Sequence, residues 1–204
     1  MRFYRMPLPF QWYYREMAVT KFSHFTDTLF LTFDDGPDPE ITPKVLEILD
    51  RFGIKATFFC IGENVVKFPE VFQSIILAGH QVGNHTHNHL KGINTPDHEY
   101  YLNVIQANEF IHSGLFRPPY GRIRKSQIGL LHPEFRIVLW SLLSWDFDPS
   151  LQPADCLKNT IKNTKGGDVI VFHDSQKASR SMLFTLPAYI EYCLQKNFKF
   201  GIIE

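Results

Sequence analysis

Short apolar runs rich in β-branched and aromatic residues alternate along the chain with segments of helical periodicity. Seven of these runs predict strands: TLFLTF (28–33), KATFFCI (55–61), QVGNH (81–85), GLFRP (114–118), RIVLWSL (136–142), DVIVFH (168–173) and FKFGII (198–203). Repeated strand–helix units are typical of a parallel sheet, either closed as a barrel or open and covered on both faces.

The clearest predicted helix begins at Thr42-Pro43, which supplies an N-cap and a first-turn proline, and ends at Gly53. Within it Val45 and Leu49 recur at the spacing of one helix face. Further helices are predicted after Thr95-Pro96, after Gln152-Pro153, and over residues 69–78 and 180–195.

The composition indicates one globular domain. The chain has 204 residues, of which 44% are hydrophobic, and this is ample for a single core. Its 21 basic and 21 acidic residues cancel, so no field of one sign indicates nucleic acid or an anionic membrane surface as a partner. The cysteines Cys60, Cys156 and Cys193 have no metal-site or disulfide spacing, and we expect them to be buried thiols.

Residues 1–27 are expected to form a capping segment on the main domain of residues 28–204, rather than an interfacial membrane anchor. Prolines and polar residues interrupt the N-terminal sequence, which makes it a poor signal peptide. A cytoplasmic location is therefore the default, and a cell-envelope location stays open. No run reaches the roughly 20 apolar residues that cross a bilayer.

Polar side chains that can carry chemistry follow five of the predicted strands. They are Asp34 and Asp35, His85 and His89, Arg117, Asp146, and His173. The carboxyl ends of parallel strands share one rim of a sheet or barrel, where such folds have their active sites. We therefore expect these side chains to converge although they lie far apart in sequence.

The segment GNHTHNHL (83–90) indicates a metal site. His85 and His89 are four residues apart, and neutral imidazoles combined with a carboxylate suit zinc or a similar divalent ion. His87 is a surplus histidine that we expect to be solvated. Of Asp34 and Asp35, one is expected to bind the metal and the other to act as a general base on water.

His173 is the candidate general acid, because its ordinary pKa near 6.5 suits proton donation at neutral pH. Asp146 is expected to orient it, with Asp148 as a rival and Asp174 as a weaker one. Arg117 is expected to pair with a carboxylate. The backbone N–H of Tyr120, in FRPPYG (116–121), is a candidate oxyanion donor.

The motifs TFDDGPD, HTHNH, RPPYG, WSLLSWDFD and VIVFHDS occur in the order and approximate spacing of those of the polysaccharide deacetylases, carbohydrate esterase family 4. The resemblance spans residues 28 to 203. It implies a distorted (β/α)7 barrel with parallel strands. It also implies a metal-dependent hydrolase that removes acetyl groups from N-acetylated or O-acetylated sugars, with residues 28–204 as the catalytic domain.

By position, the resemblance implies that Asp34 is the base and His173 the acid. It assigns the metal to Asp35, His85 and His89, with zinc expected and cobalt or nickel as alternatives. The supporting roles it implies are Arg117 holding the base, Asp146 orienting the acid, and the Tyr120 N–H as oxyanion donor. One departure is Phe147, which stands where many members have tryptophan.

Three other functions would account for part of this pattern. A metal-dependent amidohydrolase acting on a small non-sugar amide would use the same rim chemistry. A non-catalytic carbohydrate-binding domain would normally have lost a base, ligand or acid position. A phosphotransferase with an aspartate nucleophile would need a magnesium site of oxygens rather than histidines. The acetylated polymer, the oligomeric state and the native metal stay open at this point.

Overall fold

The structure is a computed structural model that describes residues 2–204 of the chain. The strands in these residues are β1 (Thr28–Asp34), β2 (Thr57–Cys60), β3 (Gln81–Asn84), β4 (Leu115–Phe116), β5 (Arg136–Ile137), β6 (Leu142–Leu143), β7 (Val169–His173) and β8 (Lys199–Phe200). The α-helices are α1 (Leu8–Tyr14), α2 (Thr42–Arg51), α3 (Gly62–Lys67), α4 (Pro69–Leu77), α5 (Asp97–Ile111), α6 (Lys125–Leu131), α7 (Pro153–Asn163) and α8 (Ser179–Gln195).

The strands form one parallel sheet in the order β5-β4-β3-β2-β1-β7-β6, and β8 pairs with the beginning of β1. Strands β5 and β6 lie at opposite ends of this order, yet only residues 138–141 separate them along the chain. The sheet must therefore curl until its two edges meet at this segment. The predicted distorted (β/α)7 barrel with parallel strands is confirmed.

The single strand predicted over residues 136–142 is wrong in detail, because the segment leaves one sheet edge before it joins the other. Its first part pairs with β4 and its last part with β7. Between them Val138 forms a bridge with Val19 of the N-terminal segment. A strand that changes partners along its length cannot keep one continuous ladder.

The N-terminal segment runs along this closure. Arg5 bridges antiparallel to Leu142, and the Arg5 guanidinium forms hydrogen bonds of 2.8 and 2.9 Å with the buried Asp168 carboxylate. The buried Tyr14 hydroxyl donates to the Ile123 carbonyl at 3.0 Å. These contacts are what a cap would make, and the division into a cap of residues 1–27 and a catalytic domain of residues 28–204 stays a prediction.

The central strands are buried on both faces, as parallel strands between helices must be. Every residue of β1 from Leu29 to Asp34 is buried. The Phe33 ring stacks on Phe58 at 4.9 Å and on Phe172 at 6.2 Å, and burial of each such ring contributes about 1.5–3 kcal/mol. This packing fixes the register that pairs Asp34 with His173 at the ends of β1 and β7.

The predicted helices are present, although the prediction of Thr42 as an N-cap is wrong. Helix α2 includes Thr42, with Ile41 at the capping position, and the Thr42 hydroxyl donates to Asp174 instead. Helices α1, α3 and α6 were not predicted, since six or seven residues are too few for a clear helical period. Among the helices of residues 2–204, none combines the length and the apolar character that a bilayer span requires.

Candidate active site

Asp35, His85 and His89 meet at the carboxyl ends of β1 and β3. Asp35 Oδ1 lies 3.3 Å from His89 Nε2 and 3.7 Å from His85 Nε2. One ligand atom from each of the three residues lies within 4.8 Å of the others, so the cluster could hold a metal ion. Two imidazoles and a carboxylate with open positions are the donor set of catalytic zinc sites, and the residues present fit such an ion.

The protonation of the cluster suits metal binding. The Arg117 carbonyl lies 2.8 Å from His85 Nδ1 and can only accept, so Nδ1 carries the proton and Nε2 keeps its lone pair. Burial lowers the pKa of His85 to about 4, so its imidazole is neutral at pH 7. Burial alone would raise the pKa of Asp35, but the hydrogen bond from His89 and the positive charge of His173 outweigh burial, lower this pKa and keep the carboxyl ionised.

Asp34 and Arg117 form a buried ion pair directly behind this cluster. Arg117 Nη1 lies 2.7 Å from Asp34 Oδ1 and 2.7 Å from Thr32 Oγ1. The remaining guanidinium donors bond the carbonyls of Val138 and Leu139, at 3.3 and 3.1 Å. The Arg117 side chain is 0% exposed, so Asp34 has a fixed, charged partner and a single orientation.

His173 and Asp146 form a second pair on the same rim. Asp146 Oδ1 lies 2.8 Å from His173 Nδ1, and Asp146 Oδ2 accepts the His173 backbone N–H at 2.8 Å. Burial lowers the pKa of His173, but the Asp146 carboxylate, with Asp35 and Asp34 farther away, outweighs burial and raises this pKa to about 9. His173 is therefore protonated at neutral pH.

Two aromatic rings flank these groups. The Tyr120 ring lies edge to face with His89 at 4.8 Å, and the Phe147 ring lies edge to face with His173 at 4.8 Å. Tyr120 is 58% exposed and has a φ of 61°, in a turn that two prolines precede. Its backbone N–H donates no hydrogen bond within residues 2–204, so it is free to serve a ligand. Gly121 is required beside it, because a Cβ there would lie 2.0 Å from the Trp140 ring.

The structure assigns Asp148 and Asp174 to other partners than His173. Asp148 pairs with Arg2 at 2.7 Å. Asp174 accepts the Gly36 N–H at 3.1 Å and the Thr42 hydroxyl at 2.6 Å, and burial raises its pKa to about 8. A Cβ at Gly36 would lie 2.1 Å from this carboxylate, which explains the glycine of the DDGP turn.

The hydrogen bond between Asp174 and the turn that carries Asp34 and Asp35 was not predicted from the sequence. The available signal was a second carboxylate at the end of the buried run VIVFHD. A second hydrogen bond to this turn comes from Asn64, whose side-chain amide donates to the Asp35 carbonyl at 2.8 Å.

The prediction that His87 is solvated holds only for part of its ring, because the side chain is half-buried. Its Nδ1 is buried without a hydrogen-bond partner in the described residues, and its ring stacks on Phe110 at 6.2 Å. A Cβ at Gly62 would lie 2.6 Å from this nitrogen. His87 lies between α3 and α5, because its neighbours Gly62 and Phe110 belong to those two helices.

This arrangement has known relatives. The family model described as polysaccharide deacetylase matches residues 24–131. The chain is 32% identical over 184 residues to a peptidoglycan-N-acetylglucosamine deacetylase of Bacillus cereus (strain ATCC 14579), a match that covers 85% of each chain. It is also 32% identical over 160 residues to a chitooligosaccharide deacetylase of Azorhizobium caulinodans, covering 72% of this chain and 73% of that one.

A solved structure is similar over nearly the whole length. It is a peptidoglycan N-acetylglucosamine deacetylase in complex with 4-naphthalen-1-yl-N-oxidanyl-benzamide, with a TM-score of 0.89 and 30% sequence identity. The superposition covers 97% of this chain and 95% of the other. The two chains therefore share one overall fold.

Proposed function

Because this chain belongs to the polysaccharide deacetylase family, we propose that it is a metal-dependent hydrolase. It removes acetyl groups from N-acetylated or O-acetylated sugars of a polysaccharide or oligosaccharide. The observation that carries the proposal is the grouping of Asp35, His85 and His89 between a buried Asp34 and a protonated His173. A base and an acid on either side of a Lewis-acid site are what amide hydrolysis requires.

Asp35, His85 and His89 would hold the ion, which would polarise the acetyl carbonyl and lower the pKa of water. Zinc suits this donor set best, and cobalt or nickel are alternatives. Asp34 accepts a proton from the attacking water. Arg117 keeps the Asp34 carboxylate in one orientation through the 2.7 Å hydrogen bond. The Asp34 side chain therefore need not change conformation before it accepts the proton.

The tetrahedral stage places negative charge on the former carbonyl oxygen. The Tyr120 N–H is free to donate to that oxygen. His173 then protonates the departing nitrogen of the sugar, and Asp146 holds the imidazole by Nδ1 so that Nε2 faces the substrate. The products are acetate and a free amino sugar, or a free hydroxyl in the case of an ester.

The class of substrate glycan is proposed from the relatives, whose names refer to peptidoglycan and to chitooligosaccharides. Tyr120 and Phe147 offer ring surfaces on either side of the site for sugar faces. Phe147 lacks the indole N–H of the tryptophan common at its position, so the acetyl pocket has one hydrogen-bond donor fewer.

Acetate release from a panel of peptidoglycan, chitin oligomers, acetylated xylan and small acetamides tests this function. We expect release from an N-acetylated glycan, loss after chelation, and recovery after Zn²⁺, Co²⁺ or Ni²⁺ is restored. Release from small acetamides alone would favour the amidohydrolase alternative. Binding of the glycans without release under any metal condition would favour the non-catalytic one.

A further inference from the structure

Residues 2–5, here called the latch, contact residues 144–148, here called the acid loop because it carries Asp146. The Phe3 carbonyl accepts the Trp145 indole N–H at 3.0 Å. Arg2 Nε lies 2.7 Å from Asp148 Oδ2, and both side chains are partly shielded from solvent. Just before the loop, the Leu143 N–H donates to the Tyr4 carbonyl at 2.8 Å. The latch therefore contacts the acid loop on both sides of Asp146.

The acid loop has a backbone conformation that needs such support. Trp145 has a φ of 62°, a left-handed value that is costly for a bulky side chain and persists only when surrounding contacts enforce it. Within the loop, the Asp148 N–H donates to the Trp145 carbonyl at 3.1 Å. The Trp145 indole N–H has its partner outside the loop, in the latch.

Trp145, the residue in the left-handed conformation, directly precedes Asp146. Both Asp146 oxygens are used on His173, one for the ring and one for the backbone. The next residue, Phe147, contacts the His173 ring at 4.8 Å and the Trp145 ring at 5.4 Å. A change in the Trp145 backbone would therefore move the carboxylate and the aromatic ring that fix the imidazole.

We infer that the latch is a positioning element for the general acid. It holds Trp145 in its left-handed conformation and so directs the Asp146 carboxylate at His173 Nδ1. This inference rests on the proposed function, in which His173 donates the proton to the leaving group. Within residues 2–204 the latch forms no hydrogen bond or ion pair with Asp35, His85 or His89, so loss of its contacts should affect proton donation and leave metal binding intact.

Arg5, in the same segment, contributes to barrel closure instead, through its hydrogen bonds to the Asp168 carboxylate. The variants that isolate the latch are therefore Trp145→Phe, which keeps the ring beside Phe147 but removes the donor, and Arg2→Gln. Arg15→Gln is the matched control, because Arg15 lies in the same N-terminal segment and, within residues 2–204, contacts the exposed Glu16 and the exposed Trp12 ring rather than the acid loop.

The first measurement is kcat and KM of the full-length, metal-loaded protein on the N-acetylated glycan from which the unmodified chain releases acetate. We expect Trp145→Phe and Arg2→Gln each to lower kcat about 3- to 10-fold, the worth of one ordered hydrogen bond. We expect KM and metal content to stay unchanged, Arg2→Lys to restore part of kcat, and Arg15→Gln to match the unmodified protein.

A double-mutant cycle separates positioning from general destabilisation. In an Asp146→Asn background the acid has already lost its orienting carboxylate, so Trp145→Phe should lower kcat no further. An equal fold-loss in both backgrounds, or an unchanged kcat in the unmodified background, would overturn the inference.

A second readout needs no activity. The His173 Nδ1 proton, shared with the buried Asp146 carboxylate, should give a downfield NMR resonance with slow solvent exchange in the unmodified protein. Asp146→Asn serves as the assignment control. We expect Trp145→Phe to speed that exchange at least several-fold, and an unchanged exchange rate would overturn the inference. Absence of acetate release by the unmodified protein from every glycan would contradict the proposed function alone.

Discussion

The buried pair of Asp34 and Arg117 offers the strongest prediction about stability. Replacing Arg117 by methionine keeps much of the side-chain volume but removes every guanidinium hydrogen bond. Four acceptors lose their partner, namely Asp34 Oδ1, Thr32 Oγ1 and the carbonyls of Val138 and Leu139. All four acceptors belong to buried residues, since Thr32, Val138 and Leu139 are 0% exposed and Asp34 is 5% exposed.

The expected loss of stability follows from the charge that remains on Asp34 without a partner. Breaking a buried pair by removing one partner costs about 3–5 kcal/mol, most of it the penalty for the remaining ion. Arg117→Met should therefore lower the free energy of unfolding by about this amount. Adding Asp34→Asn should recover part of the loss, because the amide leaves no bare charge behind.

Urea unfolding of the metal-free protein at pH 7, followed by tryptophan fluorescence, measures both effects. Arg15→Met, at an exposed pair, is the control and should leave the midpoint unchanged. A loss below about 1 kcal/mol for Arg117→Met, or a double variant less stable than the single one, would refute the reasoning.

Three further predictions concern the site. Asp146→Asn should move the alkaline limb of the pH–rate profile from near pH 9 towards pH 6.5. The reason is that protonated His173 is the active form and Asp146 raises the pKa of His173 to about 9. An unmoved limb would contradict the role assigned to Asp146. His85→Ala should lose metal and turnover, whereas Asp34→Asn should lose turnover and keep metal; equal metal loss in elemental analysis would reject the division of roles. The Asp174 carboxyl should make a contribution to stability that is lost as the pH rises from 4 to 8, because its pKa is raised to about 8 when folded. Asp174→Asn should therefore make the slope of unfolding free energy against pH more positive by up to about 1.4 kcal/mol per pH unit, and parallel urea stability curves of the two proteins would contradict this.

The barrel was predictable from the sequence to a large extent. Most of its strands are short buried runs, and the helices α2, α5 and α7 begin at or beside Thr-Pro or Gln-Pro pairs. Such patterns record which positions face the core and where helices begin. The convergence of site residues was predictable for a related reason. Asp35, His85 and His173 each end a strand or directly follow one, and the carboxyl ends of parallel strands share a rim.

What the sequence could not determine was the partner of each polar group. Asp146, Asp148 and Asp174 are alike as residues near His173, and only their positions in the folded chain separate them. Asp146 bonds the ring, Asp148 bonds Arg2 from the far end of the chain, and Asp174 bonds the turn after β1. The burial of His87 Nδ1 beside Gly62 was unpredictable for the same reason, because it depends on how α3 and α5 pack together.

The sequence by itself determined the strand–helix order and the chemical types gathered at the strand ends, because periodicity and residue identity are local properties. Tertiary structure alone decided the closure of the barrel between β5 and β6, the Asp174 tie to Gly36, and the latch on Trp145. The Asp174 and Trp145 contacts join residues more than a hundred positions apart, and the closure joins the two edges of the whole sheet. They depend on the strand register and on the curvature of the sheet, and a local pattern carries information about neither.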